Sequence, residues 1–592
     1  MGVVSGDSHL IKGKELNQQS KKRAPGIQGL VALICTGNTC LQYTHTFIKA
    51  VVTVAIMKLA IFLSVVLTFF VEVKNAAPLD SLRPTINLDY AQYQGLRLPA
   101  GVDQYLGMRY AAPPLAELRF RAPQEPARTS SVQDASAFGP VCVGTGQNVT
   151  GKTAEDCLFI NVFTPSSATQ GSKLPVWVYI QGGAYATNSN ANYNGTQVIE
   201  ESGYEIILVN FNYRVGALGF LAGQKVQQDG DLNVGLLDQR KALQWVKKYI
   251  HLFGGDPNHV VIHGASAGAG SVAYHLAAYG GRNDGLFVGA VAESPFWPAQ
   301  RNSSESEAQF SQFIEAVGCS TISCLRSANI TAIQKAQATS IDPTDPTRTT
   351  PSSWEFGPVV DGAFIQDRLY PLFAQGKFIR VPLIIGGDTN EGSGFAYNAT
   401  SPADISEFLT SLYPGLSSSE LKSINRAYQG MQPVPLHAGY FPAASAAYGD
   451  AVFTCPGIHM STKMTELYAV GGEKVWSYRY NVQDPENLSK GLGVPHTFET
   501  EAIFGPDYGG GLSSSITNIN AGIVPIVMNY YISFVKSLDP NSFRAEGAPY
   551  WMPWGSGERL KIQTNQTAME VIPGMQADRC ALWEALAPVM NV

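Results

Sequence analysis

The sequence predicts an α/β fold: a large, mostly parallel central sheet with helices on both faces. Two observations predict it. Short apolar runs rich in β-branched residues alternate with helical patterns along most of the chain, the order a parallel sheet covered on both sides requires. One such run, His259-Val-Val-Ile-His263, leads directly into Gly264-Ala265-Ser266-Ala267-Gly268, and a stretch of small, helix-forming residues, Ala269 to Tyr279, follows. A G-x-S-x-G between strand and helix marks a nucleophile elbow, a tight strained turn that lifts the serine hydroxyl above the sheet. Only small neighbours fit such a turn. The helix behind it favours negative charge developing at its N-terminus.

The expected strands are Leu174–Ile180, Glu205–Tyr213, His259–His263, Phe287–Ala292, Val381–Gly386 and Lys474–Tyr480. The clearest helix runs from Leu236 to Phe253, where Leu237, Ala242, Leu243, Trp245, Val246 and Ile250 trace one apolar face. Pro78 to about Arg128 is turn-rich with short strand-like pieces and suits an antiparallel edge. No internal repeat or low-complexity linker interrupts the chain. Two Gly/Ser-rich segments, Asn188–Asn194 and Tyr508–Ser515, read as surface loops rather than binding sites.

A length of 592 residues allows one very large domain or a large domain with insertions. With 58 Gly and 35 Pro, much of the chain must be turns and long loops. The net charge of −6 carries no basic footprint, so no nucleic-acid partner is expected.

Residues 1–56 differ from the rest. They hold six Lys or Arg against two acids, a net of +4, which leaves −10 on the remainder. Met57-Lys58 then opens a 13-residue apolar run, Leu59 to Val71, with small residues Ala76-Ala77 before Pro78. That is the pattern of a secretory signal peptide at 57–77 starting from Met57, which makes 1–56 a doubtful extension. The competing reading is a signal anchor, because Ala50 to Val71 is long enough to span a bilayer. On the first reading, 78–592 is the mature domain, secreted and without stable membrane insertion; on the second it is membrane-tethered. Six cysteines follow the leader, and Cys35 and Cys40 precede it. Seven N-x-S/T sequons follow it, at Asn148, Asn194, Asn302, Asn329, Asn398, Asn487 and Asn565, the marks of a glycoprotein.

A serine hydroxyl is a poor nucleophile until a base takes its proton and a third group orients that base. After an elbow, the acid and the histidine are expected in that order along the chain. Thr389-Asn390-Glu391-Gly392 directly follows the strand Val381–Gly386, where an acid can point into a site at the strand end. Gly493-Val494-Pro495-His496-Thr497 lies in a Pro/Gly-bounded loop after the strand Lys474–Tyr480. The chain has only nine histidines, so His496 has few rivals. His263, inside a strand, reads as a packed core residue. His259 and His263 are four apart, but on a strand that is not a metal pair, and no H-E-x-x-H or paired C-x-x-C occurs. No metal or cofactor is assigned. Gln181-Gly182-Gly183-Ala184-Tyr185 is a small-residue turn after a strand. The N–H groups of Gly183 and Ala184, with that of Ala267, can form a three-donor oxyanion hole.

Further segments carry a resemblance. They are Gly107-Met-Arg-Tyr-Ala-Ala-Pro-Pro114, Leu118-Arg-Phe120, Glu155-Asp-Cys-Leu158, Gln181-Gly-Gly-Ala184, Asn233-Val-Gly-Leu-Leu-Asp-Gln239, Phe253-Gly-Gly-Asp-Pro257, Phe356-Gly-Pro-Val-Val-Asp-Gly362, Asn390-Glu-Gly392, and His496 with Phe504-Gly505. Together with the elbow they span nearly everything after residue 85, in family order. The chain resembles the type-B carboxylesterase/lipase family, the cholinesterase-like branch of the α/β-hydrolase fold, and is most similar to its fungal secreted esterases.

The resemblance implies Ser266 as nucleophile, Glu391 as acid and His496 as base, with Gly183, Ala184 and Ala267 at the oxyanion positions. It matches Ser294 to a serine that helps hold the acid, and Glu499 to a buried carboxylate near the histidine. It implies a small-molecule ester substrate and a reaction through an acyl-enzyme. Two departures matter. Ala265 replaces the glutamate usual before the nucleophile, which removes a negative charge. Ala184 replaces a third glycine, and its methyl narrows the space beside the hole. The resemblance also pairs Cys142 with Cys157 around a loop of 14 residues, Val143 to Asp156, which has no aromatic residue and is too short for a hydrophobic helical flap. That points to an esterase without choline recognition or strong interfacial activation. Cys319 and Cys324 look like a second, short loop. Cys455 and Cys580 remain, and the partner of Cys455 stays open.

Three alternatives stand beside this reading. One is a lipase acting on long acyl chains. Another is a catalytically silent adhesion module on the same fold, although such relatives lose the serine or the histidine. The third is a nucleotide-binding unit at Gly268-Ala-Gly270-Ser-Val-Ala273, but the strand ends before Ser266 and these glycines fall inside the helix. Neither the natural acyl group nor the oligomeric state is written in these motifs.

Overall fold

Eleven strands build the central sheet of the computed structural model. In chain order they are β1 Leu96–Arg97, β2 Val102–Arg109, β3 Phe159–Pro165, β4 Leu174–Ile180, β5 Ile207–Phe211, β6 Gly255–Ala265, β7 Gly289–Glu293, β8 Leu383–Asp388, β9 Val475–Tyr480, β10 Glu558–Ile562 and β11 Ala568–Val571. Across the sheet the order is β11-β10-β9-β8-β7-β6-β4-β5-β3-β2-β1. Every neighbouring pair from β10 to β5 is parallel, and the pairs outside that block are antiparallel. The expected antiparallel edge before Arg128 is β1 and β2. The described residues run from 83 to 592 except 189–191, 302, 340–355, 468–473, 507 and 510–512. The extension 1–56, the leader 57–77, Cys35, Cys40 and the sequon at Asn302 lie outside them.

The strand sequences explain why the sheet is buried on both faces. In β4, alternate residues enter opposite cores: Val176, Val178 and Ile180 pack into one, Trp177 and Tyr179 into the other. The first core is covered by α1, Val234–Tyr249, and α2, Ala267–Gly281. The second is covered by α3, Val524–Ser537, through Val527, Met528, Tyr531 and Phe534. The motif Asn233 to Gln239 does this joining work at α1. Asp238 accepts a buried two-pronged bond from Arg214, at 2.7 Å on each prong. Gln239 donates to Ser271 Oγ and bonds His275, which ties α1 to α2.

Element ends differ from the sequence reading in informative ways. The expected strand at His259–His263 is the inner part of β6, which extends back to Gly255 on its pairing with β4. The long helix stops at Tyr249 and continues as a 3-10 turn, Ile250–Phe253. Helix α2 begins at Ala267, immediately after the serine, and leaves helical geometry at Ala278.

Three disulfides join Cys142 to Cys157, Cys319 to Cys324 and Cys455 to Cys580. The first closes a segment that holds a short parallel pair, Val141–Cys142 with Thr153–Ala154, and no helix. Among the described residues, no helix is long and apolar enough to cross a membrane.

Candidate active site

Ser266 sits at the junction of β6 and α2 with φ 58° and ψ −122°, a strained backbone for a residue with a side chain. The surroundings impose that geometry. The Ser266 N–H donates to Glu293 O at 2.8 Å, and its carbonyl accepts from Gly270 and Phe296. The flanking glycines let strand and helix approach. A Cβ on Gly268 would lie 2.0 Å from Ile180 O, and one on Gly264 would lie 2.2 Å from the Gly268 carbonyl. These contacts explain the small residues around the serine.

The turn after β4 faces the same point. Gly183 has φ 109° and Ala184 φ 56°. Among the described residues, the N–H groups of Gly183, Ala184 and Ala267 donate no hydrogen bond. That of Ala267 is the first of its helix, where no intrahelical acceptor exists. The carbonyl of Gly183 accepts from Ala186 and Thr187 and so closes the turn.

Ser266, His496, Gly183 and Ala184 line one cavity of about 370 Å³. Its walls include Phe296, Phe395, Tyr448, Phe453, Tyr179, Tyr193 and Tyr508, and among the described residues no Asp, Glu, Lys or Arg. The His496 ring lies 4.2 Å from the Phe453 ring and 5.3 Å from that of Phe395, centroid to centroid. A π-helical turn at Asp450–Thr454 sets Phe453 there. The histidine Nε2 is buried and meets no partner among the described residues, while Nδ1 bonds Glu391 Oε2 at 2.5 Å. Glu391 Oε1 accepts from Ser294 Oγ and from the Asp388 N–H, both at 2.7 Å. The acid and histidine segments are stitched together: Asn390 N–H donates to Val494 O, and Asn390 Oδ1 accepts from Val494 N–H.

Behind this line lies a buried cluster. Glu499 Oε1 accepts from Tyr478 OH at 2.8 Å, with Ser294 Oγ at 3.3 Å. Glu293 accepts from Thr500 Oγ1 and pairs with His263 Nε2. His263 Nδ1 accepts from the Trp177 indole N–H, so His263 is a packed core residue in a fixed tautomer. Burial holds His263 neutral, its pKa pushed down to about 3. Burial, reinforced by the neighbouring carboxylates, raises Glu293, Asp388 and Glu499 above the usual carboxyl range.

One expectation is corrected here. The expected surface loops Asn188–Asn194 and Tyr508–Ser515 each contribute a described tyrosine to the site. Tyr193 and Tyr508 are both 6% exposed, pack edge to face at 4.9 Å, and wall the cavity over Ser266. The Asn194 N–H donates to Tyr508 O and pins the two segments together. Phe296 lines the cavity, whereas its neighbour Trp297 is fully buried in the core. Phe441 lines a different, larger cavity of about 500 Å³ behind Glu391, which Ser266 and His496 do not reach. Phe395, Tyr448 and Phe453 were not singled out by the sequence. Their only signal was aromatic residues within the segments after Glu391.

A serine raised on a strand–helix turn, over a mixed sheet with helices on both faces, defines an α/β-hydrolase. Residues 83–583 match the model of the carboxylesterase family, to which the chain belongs. It is similar to Lipase 2 of Geotrichum candidum, 32% identical over 501 residues, which cover 75% of this chain and 85% of that one. It is also similar to Secreted lipase 4 of Gibberella zeae, 29% identical over 83% of this chain and 90% of that one. The crystal structure of Aspergillus niger EstA matches with a TM-score of 0.83 and 55% identity, covering 86% of this chain and all of that one. The protein is a carboxylic ester hydrolase.

Proposed function

We propose that Ser266, His496 and Glu391 form the catalytic triad of an esterase for uncharged, small-molecule carboxylic esters. The carrying observation is the continuous arrangement from Glu391 through His496 to the cavity that Ser266 lines. His496 Nε2 takes the Ser266 proton as Oγ attacks the ester carbonyl. The N–H groups of Gly183, Ala184 and Ala267 hold the oxyanion. The tetrahedral intermediate collapses, the C–O bond to the alcohol breaks, and His496 returns the proton to the leaving alkoxide. Water, deprotonated by the same histidine, then attacks the acyl carbon; the acyl–Oγ bond breaks, His496 returns the proton to Ser266 Oγ, and the acid leaves. Glu391 orients the imidazole and balances its positive charge.

Substrate preference follows from the walls. Ala265 beside the serine, and described walls without Asp or Glu, favour uncharged substrates over cationic ones. The Cys142–Cys157 segment, short and without a helix, is no hydrophobic flap. The second reading, a lipase for long acyl chains, is favoured by the names of the Geotrichum and Gibberella relatives. We place the protein outside the cell. The three disulfides and the secreted Gibberella relative support export. Asn148, Asn329, Asn398 and Asn565 are exposed and open to glycosylation, while Asn194 and Asn487 are half-buried.

Hydrolysis of nitrophenyl esters from acetate to palmitate, beside Ser266→Ala, separates the readings. The esterase reading expects rates that peak at short chains and vanish in the variant. A peak at long chains, above the substrate's solubility limit, would establish the lipase instead. No serine-dependent turnover at any length would return the adhesion-module reading.

A further inference from the structure

Four carboxyl groups lie together behind the histidine. Glu293, Asp388, Glu391 and Glu499 are each at most 4% exposed. The nearest arginine on the adjoining strand, Arg479, spends its donors on Thr389 and Glu570. Four adjacent buried carboxyls cannot all carry charge.

Counting donors shows where a proton must sit. Glu391 accepts on both oxygens, from His496, Ser294 and the Asp388 N–H. Glu293 likewise has a partner on each oxygen, Thr500 on one and His263 on the other. Asp388 Oδ2 accepts from the Phe498 N–H at 3.0 Å, and Glu499 Oε1 from Tyr478 OH. Two oxygens remain, Asp388 Oδ1 and Glu499 Oε2, both buried and reached by no N–H or hydroxyl donor among the described residues. The two side chains adjoin, since Asp388 Oδ2 holds the N–H of Phe498 and Glu499 is the next residue. Two carboxyl groups side by side in a buried site can bond one another only when one of them carries a hydrogen.

We propose that Asp388 and Glu499 share one proton as a carboxyl–carboxylate pair, and that this pair is a positioning device for Glu391 and His496. Its reach fits the role. Asp388 ends β8 and donates its N–H to Glu391, while its side chain holds the N–H of Phe498, two residues past His496. Glu499 follows in the same segment. The shared proton therefore bolts the acid's strand end to the histidine's loop. Removing it would set two bare anions together beside Glu391. Besides the cluster's own carboxyls and His496, the titratable groups facing the pair are the buried hydroxyls of Tyr478, Tyr480 and Tyr531. Burial holds those phenols neutral, so none supplies a compensating cation.

The positioning half rests on the triad reading; the proton half does not. The test uses the full-length protein with D388N and D388L. Asparagine restores both bonds, its amide N–H replacing the shared proton and its oxygen facing Phe498; leucine restores neither. For D388L, kcat should fall about ten- to a hundredfold with KM little changed, the cost of a misplaced catalytic group. D388N should recover to within about threefold of the parent, since each bond is replaced in kind.

The second readout is pH. A carboxyl that keeps its proton on folding binds more protons than the unfolded chain above about pH 4, so its contribution to stability falls as pH rises. D388N removes that loss. Its Tm relative to the parent should therefore climb steadily between about pH 5 and 8. E499Q, whose amide donates to an ionised Asp388, should show the same climb and serves if D388L fails to fold. A Tm difference that is flat across this range, or a D388N as impaired as D388L, overturns the proposal. Failure of the triad reading is distinguishable, because it would leave Ser266→Ala active.

Discussion

At the scale of single residues, the proposed chemistry depends on one proton path. His496 has a carboxylate on Nδ1 and an empty Nε2 facing the cavity of Ser266. Ser266→Ala and His496→Ala should each lower kcat by roughly 10⁴–10⁶ with KM little changed, because each removes a bond made only in the transition state. Steady-state kinetics on nitrophenyl acetate checks this. Glu391→Gln keeps the shape but presents an amide to Nδ1. It should cost about 10³–10⁴ in kcat, and turnover near the parent's would show that Glu391 is not the acid. The three residues of the proposed triad could be singled out in the sequence because each sits in a short local pattern: an elbow, a strand end, a Pro/Gly-bounded loop. The ring clasp of Phe395 and Phe453 on His496 was not, since it depends on a π-helical turn that no local spacing announces.

At the scale of elements, the elbow is a packing problem solved by glycine. Gly268→Ala would drive its methyl to within 2.0 Å of Ile180 O, a backbone atom that cannot step aside. Such overpacking should cost about 3 kcal/mol, read as a lower midpoint in denaturant, with activity falling as the turn shifts. The disulfides offer a second test. Cys455–Cys580 spans 125 residues and Cys319–Cys324 only 5. The chain-entropy argument makes the longer closure worth about 3 kcal/mol more. The double serine variant at 455 and 580 should therefore lower stability well beyond that at 319 and 324. The parallel strands were readable because buried Val/Ile runs are distinctive. The loops bearing Tyr193 and Tyr508 were not, because their composition is that of surface loops while their aromatic residues are held inward by contacts remote in sequence.

At the scale of the whole molecule, buried ionisable groups set the response to pH. His263 and His275 are pushed down to about 3 by burial, so the unfolded chain takes up their protons first, and acid below the ordinary histidine range destabilises the fold. The raised Asp388–Glu499 pair and Glu501, pushed up to about 7 by burial, act oppositely. They hold protons the unfolded chain has lost, so their contribution declines as pH rises. Above about pH 6.5 the histidine contribution is complete and only the carboxyls still change, so Tm should fall from there toward pH 8. Thermal unfolding across that range checks the sign. The sequence disclosed the layered sheet and its family. It could not disclose a cluster assembled from β7, β8 and the histidine loop, whose members lie up to 206 residues apart.

The proposed mechanism makes Ser266 the carrier of the acyl group. Its most direct test is to react the protein with a fluorophosphonate and map the adduct by peptide mass spectrometry. The expected result is one adduct per chain, on Ser266, with loss of activity in proportion and no labelling in Ser266→Ala. Inactivation with Ser266 unmodified, or an unchanged adduct in the variant, would contradict it.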